Sequence, residues 1–270
     1  MKERVMLYFG SFNPVHKGHI ALAEYVLDKG LCDRTVLIVS PQSPYKPQRE
    51  LAPEMDRFEM AEIACAASRH PGKIVPSAVE FLLPKPSYTI DTLRYLEETA
   101  GDRMRFSILM GADQIARLDG WKEYERLLEY PIYVYPRQGA ATGGYEGRVT
   151  LLDSAPLHDF SSTCIRERIS RGEDVTQMLD AGVLGYIRRK GLWSPARRIG
   201  ELTERLDAAP HDVALLVERG KLHYRMGAWG PALNDFNAVL RLDAGHVEAR
   251  QYADMVREIL EFRYKDIYNP

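Results

Sequence analysis

The sequence predicts an α/β protein built on a doubly wound parallel sheet, followed by a small all-α segment. Two observations predict the first part. Short apolar runs of strand length alternate with helical patterns over most of the chain, and a glycine- or proline-rich loop follows several of those runs. A third observation predicts the second part: after Trp193-Ser-Pro195 no strand pattern remains. Domains of residues 1–193 and 194–270 follow from that change of texture.

Residues 5–9 form a short apolar run ended by Gly10 and read as a buried strand. Residues 20–27 have helical spacing, with Leu22, Tyr25 and Val26 to one side, and stop before Gly30. Residues 35–39 are a second buried strand. The following stretch, 40–53, carries Pro41, Pro44, Pro47 and Pro53, which exclude regular helix. A helix is predicted at 55–68, a short strand at 73–75, a helix at 89–99 and a strand at 106–110, just before Gly111. A short helix at 124–129, strands at 131–135 and 149–152, and helices at 162–171, 176–181 and 183–190 complete the first domain. The second reads as helices at 196–206, 212–226, 230–240 and 246–263, punctuated by Pro195 and Pro210.

Composition bounds the function. The chain has 270 residues, 45% hydrophobic and 27% charged, with a formal net charge of −2. That is a globular composition, and near-zero charge gives no overall signal for nucleic acid or a membrane surface. Cys32, Cys65 and Cys164 form no CxxC pair and no disulfide framework, which suits a reducing cytoplasm. No apolar run approaches the roughly 20 residues that span a bilayer, and the N-terminus lacks the long apolar core of a signal peptide.

Ligands of open parallel sheets bind beyond the C-terminal strand ends, so the loops there carry the chemistry. The first is Gly10-Ser-Phe-Asn-Pro-Val-His-Lys-Gly-His19. A glycine turn between strand and helix exposes N–H groups at a helix N-terminus, which favours phosphate. Gly18 lets a ligand approach the backbone. His16 and His19, three apart, share one side of the first helical turn and can donate to a polyphosphate. The stretch is neither GxxxxGK[ST] nor GxGxxG. Taken alone, the two histidines also fit a helix cap, and two are too few for a zinc site.

This stretch resembles the GxFxPxHxGH signature of the nucleotidyltransferase superfamily with the (H/T)xGH motif. Asp159-Phe-Ser-Ser-Thr-Cys-Ile-Arg166 resembles its second signature, ISSTxIR, with Phe160 in place of Ile or Val. Further segments resemble the nicotinate-nucleotide adenylyltransferases within that superfamily. They are Ser40-Pro-Gln-Ser-Pro-Tyr-Lys-Pro47, Glu80 with Pro86-Ser-Tyr-Thr-Ile-Asp-Thr-Leu93, Gly111-Ala-Asp113 with Leu118 and Trp121, and Tyr135-Pro-Arg-Gln-Gly139. The resemblance covers about residues 4–192 and implies a Rossmann-like fold.

The implied reaction is transfer of AMP from ATP to nicotinate mononucleotide, giving nicotinate adenine dinucleotide and pyrophosphate in NAD biosynthesis, with Mg²⁺ carried on the ATP. By the same resemblance His16, His19, Lys46 and Arg166 are the catalytic group. Gly10, Ser11, Phe12, Gly18, Gly111, Asp113, Arg137, Ser161, Ser162 and Thr163 join His16, His19 and Arg166 in holding ATP. Asn13, Lys46, Tyr88, Thr89 and Trp121 border the mononucleotide. Nicotinamide mononucleotide is the second substrate to weigh, because one carboxylate separates the two. A nucleotide-binding scaffold acting through its tail is the reading of another class.

The tail resembles one tetratricopeptide repeat over residues 213–246. Leu216, Gly220, Tyr224, Gly227, Ala232 and Phe236 fall near the expected positions, with departures at His223 and Ala244. One repeat cannot bury both faces, so helices before and after it are expected to cover it. Protein docking, self-association or simple packing are its possible roles.

Overall fold

The computed structural model describes residues 2–42, 51–137, 144–145 and 147–265. The chain divides into two compact units, Met1–Ile165 with Thr176–Tyr186 and Arg166–Val175 with Ile187–Pro270.

The first unit is built on six strands, β1 (Glu3–Gly10), β2 (Arg34–Val39), β3 (Ile74–Ser77), β4 (Met104–Gly111), β5 (Ile132–Tyr135) and β6 (Thr150–Leu151). Every pairing is parallel, and the order is β3-β2-β1-β4-β5-β6. The central strands are apolar on both faces because helices cover both. Val5, Met6 and Leu7 of β1 and Ile108, Leu109 and Met110 of β4 are each no more than 2% exposed. The connections run to opposite sides from β1 and β4, so the crevice lies beyond their C-terminal ends. Gly10 and Gly111 end those two strands, and the register sets Gly10 beside Val39 and Gly111 beside Tyr135.

The helices of this part are α1 (Lys17–Asp28), α2 (Glu54–Ala66), α3 (Thr89–Ala100), α4 (Ala112–Ile115) and α5 (Tyr124–Leu127), while α6 (Ser162–Ser170) and α7 (Ala181–Lys190) each have residues in both units. Two local expectations need correction. Residues 176–180 are turn rather than helix, because Asp180 acts as the cap that starts α7. Its Oδ1 accepts the Gly182 amide at 2.7 Å and its carbonyl accepts the Leu184 amide at 2.9 Å. The strand expected at 73–75 runs on through Pro76 to Ser77. An edge position allows this, since proline's missing N–H faces no partner strand.

The loops leaving β1 and β2 are joined by one side chain. Arg57 of α2 is 1% exposed. Its Nη1 donates to the carbonyls of Ser11 (2.7 Å) and Ser40 (2.6 Å), Nη2 to Pro41 (2.9 Å) and Nε to Ala52 (3.0 Å). The Asn13 Oδ1 accepts the Ala52 amide at 3.0 Å and closes the same junction.

The second unit contains α8 (Pro195–Ala208), α9 (Val213–Arg225), α10 (Trp229–Leu242) and α11 (Val247–Lys265). Ser194 caps α8, with Pro195 at its first position, and Asp212 caps α9 through the Leu215 amide at 3.1 Å. Leu202 and Leu206 of α8, Leu216 and Leu222 of α9, Phe236 and Val239 of α10, and Ala253 and Val256 of α11 form one core. Gly220 is the close-packing point of α9 and α10: a Cβ there would lie 2.8 Å from Phe236 Cε1.

Arg57→Met keeps much of the volume but removes every donor, so it should lower the unfolding free energy by about 3 kcal/mol. Urea denaturation reads this, and a loss under about 1 kcal/mol would show that the loop carbonyls do not need the guanidinium. Gly220→Ala should cost about 2 kcal/mol through overpacking against Phe236. The reading is the loss of helical circular dichroism on heating, and an unchanged melting profile would contradict it.

Candidate active site

The turn after β1 places two imidazoles face to face. His16 caps α1 in an extended conformation, and its carbonyl accepts the His19 amide at 2.9 Å. The His16 amide donates to His19 Nδ1 at 3.2 Å, so the neutral His19 ring carries its proton on Nε2. The rings stack with centroids 3.6 Å apart and 22° between planes. Gly18 makes this possible, since a Cβ there would lie 3.1 Å from His16 Nδ1. His16 is 7% exposed, and among the described residues its Nδ1 is buried without a hydrogen-bond partner. Burial first, then the charges of Arg137 and His158, pushes its pKa down from 6.5 to about 3. Beneath the pair, Phe12 stands edge-on to His19 and to Tyr8, at 5.0 and 5.6 Å. Phe12 reaches this position with φ at +43°, and Gly10 leaves room for its ring, 3.0 Å from where a Cβ would stand.

The second signature meets the first directly. Ser161 Oγ accepts the Cys164 amide at 3.2 Å and starts α6. Ser162 Oγ donates to the Pro14 carbonyl at 2.9 Å. Phe160 lies edge-on to His16 with centroids 5.4 Å apart. Thr163 follows in the first turn of α6. The division of the chain falls just before Arg166, whose place is described within α6 alone.

At the end of β4, a Cβ on Gly111 would collide with Asp113 Oδ1. Only glycine therefore lets Asp113 fold back toward Arg137, whose Nε is 3.5 Å from that oxygen. Arg137 lies over the Tyr135 ring at 5.7 Å. Tyr135 in turn shares a buried hydroxyl–hydroxyl contact of 3.2 Å with Tyr8. Burial pushes both phenols up. His16, Gly18, His19, Tyr135, Arg137 and Phe160 line one cavity, which joins parts of both signatures to the loop after β5.

The residues expected beside the mononucleotide gather at the start of α3. Tyr88 is its N-cap and Thr89 its first residue, and among the described residues no side chain caps the backbone N–H groups. Trp121 follows a 3-10 turn, and it and Tyr88 both pack on the sheet's core. Lys122 ties the two segments together. Its Nζ is 2.8 Å from Asp91 Oδ2 and lies 5.1 Å from the Tyr88 ring centre. Behind them Glu80 is buried and accepts from Thr92 Oγ1 at 2.9 Å. Burial raises its pKa, and the Ser40, Thr92 and Ser87 hydroxyls oppose the rise.

Ser11 and Asn13 are buried, and both are engaged with the Arg57 junction, Ser11 through its carbonyl and Asn13 through its side chain. Lys46 lies outside the described residues. Sequence reasoning missed Arg57, Tyr8 and His158. Arg57 sits among acidic residues in an amphipathic helix and gives no sign of burial. Tyr8 carried a signal, a polar hydroxyl inside an apolar strand. Among the described residues no three His, Cys, Asp or Glu side chains gather as a metal site.

Comparison with known proteins agrees with this geometry. The cytidylyltransferase-like family matches residues 7–168. A protein of Flavobacterium johnsoniae named "Probable nicotinate-nucleotide adenylyltransferase" is 35% identical over 189 residues, 68% of this chain and 95% of its own length. A protein of Bacteroides thetaiotaomicron with the same name is 39% identical, over 69% of this chain and 92% of its own. The structure of Plasmodium falciparum nicotinic acid mononucleotide adenylyltransferase complexed with NaAD aligns with a TM-score of 0.62 over 71% of this chain and 97% of its own. At 19% identity that likeness concerns the fold. Two signatures joined at one crevice, on this sheet and with these relatives, place the chain in the cytidylyltransferase-like family, among the nicotinate-nucleotide adenylyltransferases.

Proposed function

We propose that this chain transfers AMP from ATP to nicotinate mononucleotide, releasing pyrophosphate and forming nicotinate adenine dinucleotide. The observation that carries the reading is the junction of the two signatures: the stacked His16–His19 pair at the N-terminus of α1, tied through Pro14 to Ser162 of α6.

The phosphate of the mononucleotide is nucleophilic near neutral pH, so the reaction needs alignment and charge stabilisation rather than a strong base. Its oxygen attacks the α-phosphorus of ATP as the bond to the bridging oxygen breaks, and pyrophosphate leaves with the electron pair. His16 donates to the α-phosphoryl oxygens where charge develops. Its neutral resting state lets a buried imidazole wait without a counter-ion, and an arriving polyphosphate favours its protonation. His19, Lys46 and Arg166 hold the departing phosphates. Asp113 is placed for the ribose hydroxyls, with Arg137 beside it. Gly10, Ser11, Phe12, Gly18, Gly111, Ser161, Ser162 and Thr163 shape the ATP cradle. Tyr88, Thr89, Trp121 and Asn13 border the mononucleotide, and the uncapped amides of α3 suit a carboxylate. The lining around the histidines is basic and suits anionic phosphates, and a Mg²⁺ bound with ATP would supply further charge neutralisation there.

Residues 194–270 form the second domain of this reading, with α9 and α10 as one tetratricopeptide-like pair that docks a protein or a second copy. The three free cysteines support a reducing, cytoplasmic setting.

Pyrophosphate release with the acid and the amide mononucleotides in parallel tests the reaction. The acid should give the higher kcat/KM, and preference for the amide would move the substrate assignment. His16→Ala should lower kcat by about 100-fold or more with little change in the ATP KM, and near wild-type turnover would remove His16 from its role.

The depressed His16 pKa also sets an acid sensitivity. Between pH 6.5 and about 3 the unfolded chain takes a proton that the folded chain does not, so stability falls as pH drops through that window. From pH 7 to pH 5 this costs about 2 kcal/mol. His16→Gln should lose that much less than wild type over the same range in urea denaturation, and equal losses would show that His16 is not a buried neutral base.

A further inference from the structure

We infer that His158 is a third imidazole of the phosphate site and binds the ATP polyphosphate beside His16 and His19. The inference rests on the adenylyl-transfer reading and adds a residue that neither signature assigns.

His158 is exposed and stands just before the second signature. Its Cδ2 is 3.1 Å from where a Cβ of Gly18 would be, so its ring packs over that position of α1 beside the His16 ring. Its ring is tilted against Phe160 at 5.1 Å, and Phe160 stands edge-on to His16. The cavity with His16 and His19 also takes in Arg137 and His158. Among the described residues its ionisable lining is histidine, arginine and tyrosine, without a carboxylate. Asp113, outside that lining, is already turned toward Arg137.

A second cavity, of 310 Å³, shares His16 and His158 and carries Lys17, Glu24 and Asp180. Each of these is engaged elsewhere. Lys17 Nζ donates to the Thr176 carbonyl, Glu24 accepts from Arg69, and Asp180 accepts the Gly182 amide. Glu24 and Asp180 therefore have their own partners, Asp159 is exposed next to His158 in the chain, and the basic groups of the first cavity lie on the His19–Arg137 side. A charge on His158 opposes a charge on His16. A ring that merely packed on Gly18 and Phe160 would need no nitrogen.

The test uses the full chain and two variants, His158→Gln and His158→Phe. Titration calorimetry with Mg²⁺–ATP and with inorganic triphosphate reads the affinity. Both variants should bind each ligand about 5- to 10-fold more weakly, with melting temperatures unchanged. Binding within twofold of wild type would overturn the inference. So would wild-type binding by the Phe variant, which would reduce His158 to a packing ring. No pyridine substrate enters this measurement. A chain that binds triphosphate through His158 yet releases no pyrophosphate with nicotinate mononucleotide would keep this inference and lose only the reaction assigned above.

Discussion

The Arg57 guanidinium is the constraint on which the site depends. Where β1 and β2 end, the carbonyls of Ser11, Ser40 and Pro41 leave the sheet ladder and turn toward buried or half-buried positions. A planar fork of five N–H donors is the side chain best suited to several such acceptors at once. Arg57 reaches Ser11 in the first loop, Ser40 and Pro41 in the second, and Ala52 before its own helix. Burial lowers its pKa to about 10, which still leaves it charged at neutral pH, so each bond is charge-assisted. The histidine turn begins at the very residue whose carbonyl it holds.

Above that junction the chemistry is a matter of local against global charge. The chain as a whole is close to neutral, yet the cavity at the end of β1 gathers two stacked imidazoles, a third at its rim and an arginine. Such a cluster would repel itself if fully protonated. It persists because burial holds His16 neutral and Asp113 balances Arg137.

The second unit solves a different problem. The helix pair α9–α10 approaches closely at Gly220 and would leave apolar faces open. α8 and α11 cover them with Leu202, Leu206, Ala253 and Val256. Arg219 and Asp235 form a two-bond ion pair across α9 and α10, with Asp235 only 4% exposed, which adds a directional lock to a mainly apolar core.

Strand and helix patterns were legible because parallel strands covered on both faces must be apolar throughout, and helices covered on one face must repeat. The glycines and histidines of the first loop were legible because the run resembles a family signature; taken alone, the two histidines also fit a helix cap. The turn before α7 was less so, since Asp180 takes a cap's role that local propensity does not distinguish from helix. By itself the sequence determined the alternating order of elements, the strand-end loops and the residue types gathered there. Only tertiary structure decided that His16 is buried and neutral, that Ser162 bonds to Pro14, that His158 faces Gly18 and that Arg57 lies inside. The reason is physical: burial, stacking and the satisfaction of carbonyls depend on segments 40 to 150 residues apart meeting in space, and no local pattern encodes those meetings.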